Sequence, residues 1–261
     1  MIGFFIKKAF FDGWDNLFQI LILNVIFLCV GFGGFFLAGA ASDMMLLSMG
    51  ILLATAIAEG ILWTAASKML ARIASYRSFG WKDFLEAIRL TWKHGALFSL
   101  LAVGIALLFF VTTPYYFGIG NMVGFALGML LFWLAIIVLL SLQWFLPIRS
   151  QLDDNFVKCL KKSFIVFFDN PGFSLFMFFY SLVLLGLSLV CVMLLPGITG
   201  IMLAQNEAFR LRLYKYDWME KHPELDARIA RKSIPWEELI ADDVETVGYR
   251  SFKSFIFPWK D

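Results

Sequence analysis

Long apolar stretches alternate along this chain with short polar knots, and the stretches have membrane length. Residues 17–41, 44–69, 95–117, 121–147 and 173–195 each supply the roughly 20 apolar residues that a helix needs to cross a bilayer at about 1.5 Å rise per residue. A sixth stretch, 197–214, is weaker, because Gln205, Asn206, Glu207 and Arg210 follow its short apolar start. Three further segments carry apolar residues at helical spacing with a polar face opposite. In 4–14, Ile6, Phe10 and Trp14 lie beside Lys7 and Lys8. In 82–94, Phe84, Leu85, Ile88 and Trp92 oppose Asp83, Glu86, Arg89 and Lys93. In 153–169, Phe156, Leu160, Phe164 and Phe168 oppose Lys158, Lys161 and Lys162. Such helices lie in the membrane interface, apolar face down. The pattern predicts an all-α, polytopic integral membrane protein of six transmembrane helices, the sixth short and partly polar, with amphipathic interfacial helices.

Charge fixes an orientation. All 22 Lys and Arg residues fall in four blocks, 7–8, 68–93, 149–162 and 210–260, and the far-side turns between spans hold none. Translocated turns shun Lys and Arg, so both ends and the tail from 216 to 261 are expected in the cytoplasm. Without a sixth crossing the ten Lys and Arg from Arg210 onward would lie outside. Trp14, Trp81, Trp92 and Trp144 fall near the cytoplasmic boundaries, and Tyr115-Tyr116 near the other, as in an aromatic belt.

Composition agrees. The chain is 61% hydrophobic and 16% charged, against about 25% charged in soluble domains. A net charge of +2 gives no reason to expect a nucleic-acid partner; the bilayer itself is the expected partner of the basic blocks. Cys29, Cys159 and Cys191 have no CxxC spacing and read as small apolar residues. The first apolar run exceeds the 7–15 residues or so of a cleavable leader's core and is expected to span by itself. The tail, with one short helix expected near 236–240 and an aromatic and basic stretch at 249–259 suited to surface anchoring, is small for a catalytic module.

Three recurrences of surface helix, polar knot and two spans organise the chain. An ancestral repeat and the plain needs of helical hairpins both produce that pattern.

Candidate chemistry is sparse. Glu59 lies nine residues from Lys68 and sixteen from Asp43, close to mid-membrane, where a charged group costs several kcal/mol unless paired, protonated or wet. It is either a proton, cation or substrate site, or a neutral acid hydrogen-bonded to a neighbouring helix, with Asn24 the plausible partner. The second reading is preferred. Gln205, Asn206, Glu207 and Arg210 form another polar cluster, in which Glu207 and Arg210 are spaced to pair with each other. Gly120, Gly124 and Gly128, and likewise Gly50, Ala54 and Ala58, are small-residue stripes that let helices approach closely. No phosphate-binding loop, HExxH or GxSxG is present, and neither histidine lies near a cysteine pair; no cofactor, metal or catalytic residue is expected.

Several segments resemble the YesL-like bacterial membrane proteins. Residues 16–29 (NLFQILILNVIFLC) look like their first span, and 84–95 (FLEAIRLTWKHG) is similar to their surface helix. The strongest likeness is 145–175 (FLPIRSQLDDNFVKCLKKSFIVFFDNPGFSL), with its Pro after a span, Asp-Asn pair, Lys-bearing amphipathic helix and Asn-Pro start to the next span. Residues 202–213 fit their polar-tinged closing helix. Gly31–Gly34 stand where that family usually has a Pro, and the tail beyond Tyr216 is extra. The resemblance implies a bacterial cytoplasmic membrane and an accessory role beside a carbohydrate uptake system, which would supply a membrane transporter complex as partner. The residues themselves suggest a non-enzymatic accessory or scaffold, with a small-molecule transporter or channel using Glu59 as the alternative.

Overall fold

A computed structural model describes residues 1–152, 155–224, 226, 231, 233–248 and 250 of the 261. The described residues form helices and connecting turns, without strands. The helices are α1 (Ile2–Asp15), α2 (Leu17–Ala40), α3 (Met45–Ala74), α4 (Trp81–Leu107), α5 (Thr113–Gly118), α6 (Met122–Leu142), α7 (Phe145–Leu152), α8 (Phe156–Asp169), α9 (Pro171–Val190), α10 (Gly197–Lys221), α11 (Trp236–Leu239) and α12 (Ala241–Val247). A π-helical turn, Leu108–Thr112, joins α4 to α5, so that one continuous rod runs from Trp81 to Gly118. Five segments are long and apolar enough to cross a membrane: Leu17–Ala40, Met45–Ala74, Trp81–Gly118, Met122–Leu152 and Pro171–Val190. Large side chains on their outer faces are bare; Leu46 and Met122 are both 88% exposed. Water-soluble surfaces rarely present so much contiguous apolar area.

Glycines set the helix contacts. A Cβ on Gly95 would lie 2.5 Å from Cα of Ile61, and one on Gly60 would lie 2.8 Å from the Gly95 carbonyl oxygen, so α3 and α4 meet backbone to backbone. Gly34 likewise accommodates Thr55 where α2 meets α3. The stripes singled out in the sequence behave differently from expectation. Gly124 and Gly128 do pack closely, against Tyr116, Ile119 and Phe117 of the preceding hairpin arm, but Gly120 has φ +72° and makes the turn. Gly50 meets nothing within 4 Å and Ala54 is exposed, so that stripe faces outward.

The surface helix expected at 82–94 is the first half of α4, continuous with the span. The polar stretch Lys93-His94-Gly95, where a break before the span is expected, does not end the helix, since it contains no Pro and Gly95 is held by α3. The buried stripe is Phe84, Ala87, Thr91, Gly95 and Phe98, whereas Leu85 and Trp92 point outward. In α8 the packed face is Cys159, Ser163 and Val166, with Phe156 and Leu160 beside it. Phe168, expected on that face, is 63% exposed and shares the outer side with Val157, Lys158, Lys161 and Ile165, while Phe164 and Lys162 flank it. Asp153 and Asp154, at the expected start of this helix, and most of 249–259 lie outside the described residues. The helix expected near 236–240 is α11, and α12 follows it.

The α9–α10 hairpin is set low against α2. Asn24 donates through Nδ2 to the carbonyls of Leu194 and Pro196, both at 2.9 Å, and accepts through Oδ1 from the Thr199 amide at 3.0 Å. The hairpin turn thus sits against Asn24, sixteen residues before Ala40 and roughly 24 Å short of the far end of α2 at helical rise.

Candidate functional site

Two groups of polar residues lie within the bundle, one at the end where α1, α3 and α10 meet and one in its middle. The first begins with α1. Lys8, read from sequence as a head-group contact, is 1% exposed: α1 is packed among α9, α10 and the end of α3, with Phe5 against Phe173, Phe176 and Tyr180. The Lys8 ammonium donates to Asp12 (2.5 Å) and to the Ala74 carbonyl (3.2 Å), is ion-paired with Glu207 (2.9 Å), and lies 4.0 Å above the Tyr76 ring. Ala74 is the last residue of α3, so its carbonyl belongs to the helix's unsatisfied, partly negative end.

Arg210 completes the same corner. It donates to the Ala74 carbonyl (2.8 Å), to the Tyr214 hydroxyl (2.8 Å) and to Asp243 of α12 (3.1 Å). Tyr214 and Tyr76 donate to the side chain and the carbonyl of Asp243, respectively. Burial, reinforced by Asp243, Asp12 and Glu207, pushes the Tyr76 hydroxyl above its ordinary range, so it remains a donor. The Glu207–Arg210 pair expected from spacing is not made: Glu207 turns to Lys8 and Arg210 to Asp243. Asn206 faces a third way, donating to Ser67 Oγ (3.1 Å) and accepting from Gln151 (3.3 Å), and so ties α10 to α3 and α7.

A neighbouring knot holds α10 to the start of α9. Asp169 accepts from Lys215 (2.6 Å) and Tyr216 (3.0 Å) and pairs with Arg231; Asn170 accepts from Lys215 (2.7 Å) and Arg212 (3.2 Å). Burial alone would raise the Asp169 carboxyl, but the hydrogen bond and charge of Lys215, with Tyr216 and Arg231, outweigh it and hold the group below the ordinary carboxylate range. In the sequence Lys8 reads only as part of a surface helix and Asp169 only as part of a polar knot, and Asp12, Lys215 and Asp243 do not stand out. Only the i, i+4 spacing of Lys8 and Asp12 could have flagged that pair.

In the middle of the bundle Glu59 lines a cavity of about 480 Å3, between α2, α3 and the α9–α10 turn. Glu59 Oε1 faces Gly31, where a Cβ would stand 3.3 Å away. Its Oε2 is buried without a hydrogen-bond partner. Asn24 lines the same cavity, but its side chain is engaged on the hairpin turn, so the expected Asn24–Glu59 bond is absent. Trp63, one turn along α3, is beside the carboxyl, yet its Nε1 falls outside bonding geometry. Gln205 lines a second cavity of about 510 Å3 among α4, α6, α9 and α10. No cluster of three or more His, Cys, Asp or Glu able to hold a metal occurs among the described residues.

No family model, curated protein or solved structure matches this chain.

Proposed function

We propose that the protein is a non-enzymatic accessory or scaffold component of a bacterial cytoplasmic membrane, with both termini in the cytoplasm. The observation that carries this reading is where the buried charges go. Lys8, Asp12, Glu207, Arg210 and Asp243, and likewise Asp169 and Lys215, tie helix ends to one another and to the tail. Such interlocked ends suit a rigid platform, whereas a transport path needs polar groups converging on a passage. The cavity beside Glu59 is walled by apolar side chains except at Asn24, Glu59 and Trp63, and Phe32 and Phe35 at its rim are exposed on the outer surface.

The packing of α9 against α10 supports this topology. Gly197 at the start of α10 donates to Ser188 near the end of α9, and Lys215 reaches Asp169 just before α9 begins. The two helices run antiparallel between Gly197 and Lys215, which supports reading α10 as the pass that returns the chain to the side of α1. Tail contacts support this: Lys7 donates to the Gly248 carbonyl, and Arg250 pairs with Asp15. Cysteine labelling tests it in a protein stripped of native cysteines. Ser42→Cys and Gly118→Cys should react with an impermeant reagent from outside, and Lys221→Cys should not; outside labelling of the last overturns the topology.

A link to carbohydrate uptake rests on the YesL-like resemblance. Cross-linking in native membranes should recover membrane subunits of a sugar transporter. The transporter alternative is kept alive by the unpartnered Glu59 Oε2. Proteoliposomes decide between them: the scaffold reading expects no flux of protons, cations or sugars above empty vesicles, and flux abolished by Glu59→Gln would replace it with proton-coupled transport.

A further inference from the structure

The two mid-bundle cavities share a wall, formed by Trp63 and Ile198. Four polar atoms around them are buried with no hydrogen-bond partner: Glu59 Oε2 on one side, Gln143 Oε1 and Ser181 Oγ on the other, and Trp63 Nε1 at the partition. Gln143 spends its amide on the carbonyls of Leu140 (2.7 Å) and Ser174 (3.0 Å), which leaves its oxygen without a donor. Native structures satisfy nearly all buried polar groups, because an orphan left in an apolar setting is costly. Four gathered on two adjoining cavities, of a volume typical for small-molecule sites, point to a missing partner.

We propose that these cavities bind a membrane-dissolved amphiphile whose head group carries an uncharged hydroxyl. The complement of orphans selects this chemistry. Trp63 Nε1 can only donate, Gln143 Oε1 can only accept, Ser181 does either, and Glu59 accepts when ionised and also donates when protonated. A hydroxyl donates once and accepts twice, so it can pair with any one of these groups in either state of Glu59, and can accept from Trp63 while donating to Gln143 or to an ionised Glu59. An ammonium head group could not accept from Trp63, and a carboxylate could not donate to Gln143. Apart from Asn24 and Gln205 the rest of the walls is apolar, and both cavities have bare aromatic residues at their margins, Phe35 (67% exposed) and Phe110 (74%). An acyl chain therefore enters sideways from the hydrocarbon of the bilayer. Gly31 leaves room beside the Glu59 carboxyl. This site does not depend on the scaffold reading, since a lipid can be held by an assembly platform or by a carrier.

The test uses the full chain in lipid nanodiscs with a long-chain primary alcohol that bears a photoreactive diazirine and an alkyne handle. Its methyl ether and its parent hydrocarbon serve as matched controls. Saturable cross-links are expected on α2 and α3 around Gly31–Phe35, or on α4 and α6 around Ala102 and Ala135. The methyl ether should label several-fold less, and the hydrocarbon less again. Trp63→Phe keeps the ring and removes only the N–H; it should lower saturable labelling by the alcohol several-fold, as should Ser181→Ala, while both variants stay folded. Equal labelling by alcohol and ether, or unchanged labelling of Trp63→Phe, would overturn the proposal. So would labelling that never saturates, which means simple partition into lipid. A direct Glu59–Trp63 bond in the membrane would show itself as labelling indifferent to the hydroxyl.

Discussion

Replacing Lys8 by Met removes the cation that holds two buried carboxyl groups together and keeps most of the side chain's length. At about 4 Å and an effective dielectric near 20, each ion pair is worth about 4 kcal/mol before desolvation, and desolvation of Lys8, 1% exposed, offsets much of that. What decides the outcome is what remains. Asp12 and Glu207 would be left with no ammonium, and the Ala74 carbonyl would keep only Arg210. Breaking a buried pair from one side typically destabilises by about 3–5 kcal/mol, and that is the expectation for Lys8→Met.

The double variant Lys8→Met with Glu207→Gln should recover more than half of the loss, because the Gln amide can donate to Asp12 and no two acids then face each other. Unfolding of the purified protein in mixed micelles, titrated with dodecyl sulfate and followed by circular dichroism, measures both. Added salt should leave the wild-type value nearly unchanged, since the pair is sealed from counterions. A single variant within about 1 kcal/mol of wild type, or a double variant no better than the single, would refute the buried-network account.

Gly95→Ala should cost about 1–3 kcal/mol in the same titration by forcing α3 from α4, whereas Gly50→Ala, with nothing within 4 Å, should be neutral or slightly stabilising. Asn24→Leu strips three hydrogen bonds from the α9–α10 turn, leaving buried backbone groups unpaired; a loss of about 2–4 kcal/mol and faster proteolysis at 191–196 are expected. Asp169 binds its proton less readily in the folded protein than in the unfolded chain. Its contribution is complete above the ordinary value of 3.8 and disappears as pH falls through and below it; Asp169→Asn should flatten that part of the stability–pH curve, and an unaltered curve would count against the Lys215–Tyr216–Arg231 cage.

Helix positions were legible because the bilayer enforces them. Leu17–Ala40 and Met45–Ala74 begin within a residue of where the apolar stretches begin, and the helix expected from 197 to 214 starts at Gly197 and runs on to Lys221. Faces were less legible. In α4 and α8 the apolar residues ring most of the helix, since lipid accepts them as readily as protein does, so Leu85, Trp92 and Phe168 gave no clue to which side is packed. Small and polar residues carry that information instead: Gly95, Thr91, Cys159 and Ser163 mark the buried sides.

The polar sites show the same limit more sharply. A charge in an apolar helix signals that a partner exists, but sequence distance does not say which. Glu207 had Arg210 one turn away and took Lys8, 199 positions earlier; Arg210 took Asp243 from a tail with no apolar pattern to place it. Pairing across the bundle wins because it ties separate helices, whereas an i, i+3 pair adds only about 0.2–0.5 kcal/mol to a helix that is already formed. Glu59 is the instructive exception. Lys8, Arg210 and Lys215 found charged partners elsewhere in the chain, whereas Glu59 Oε2, in a setting where an unmet acid is most costly, has no hydrogen-bond partner. The Trp63 indole, one turn along the same helix, is unmet as well, so the deficit is shared by two groups that line one cavity.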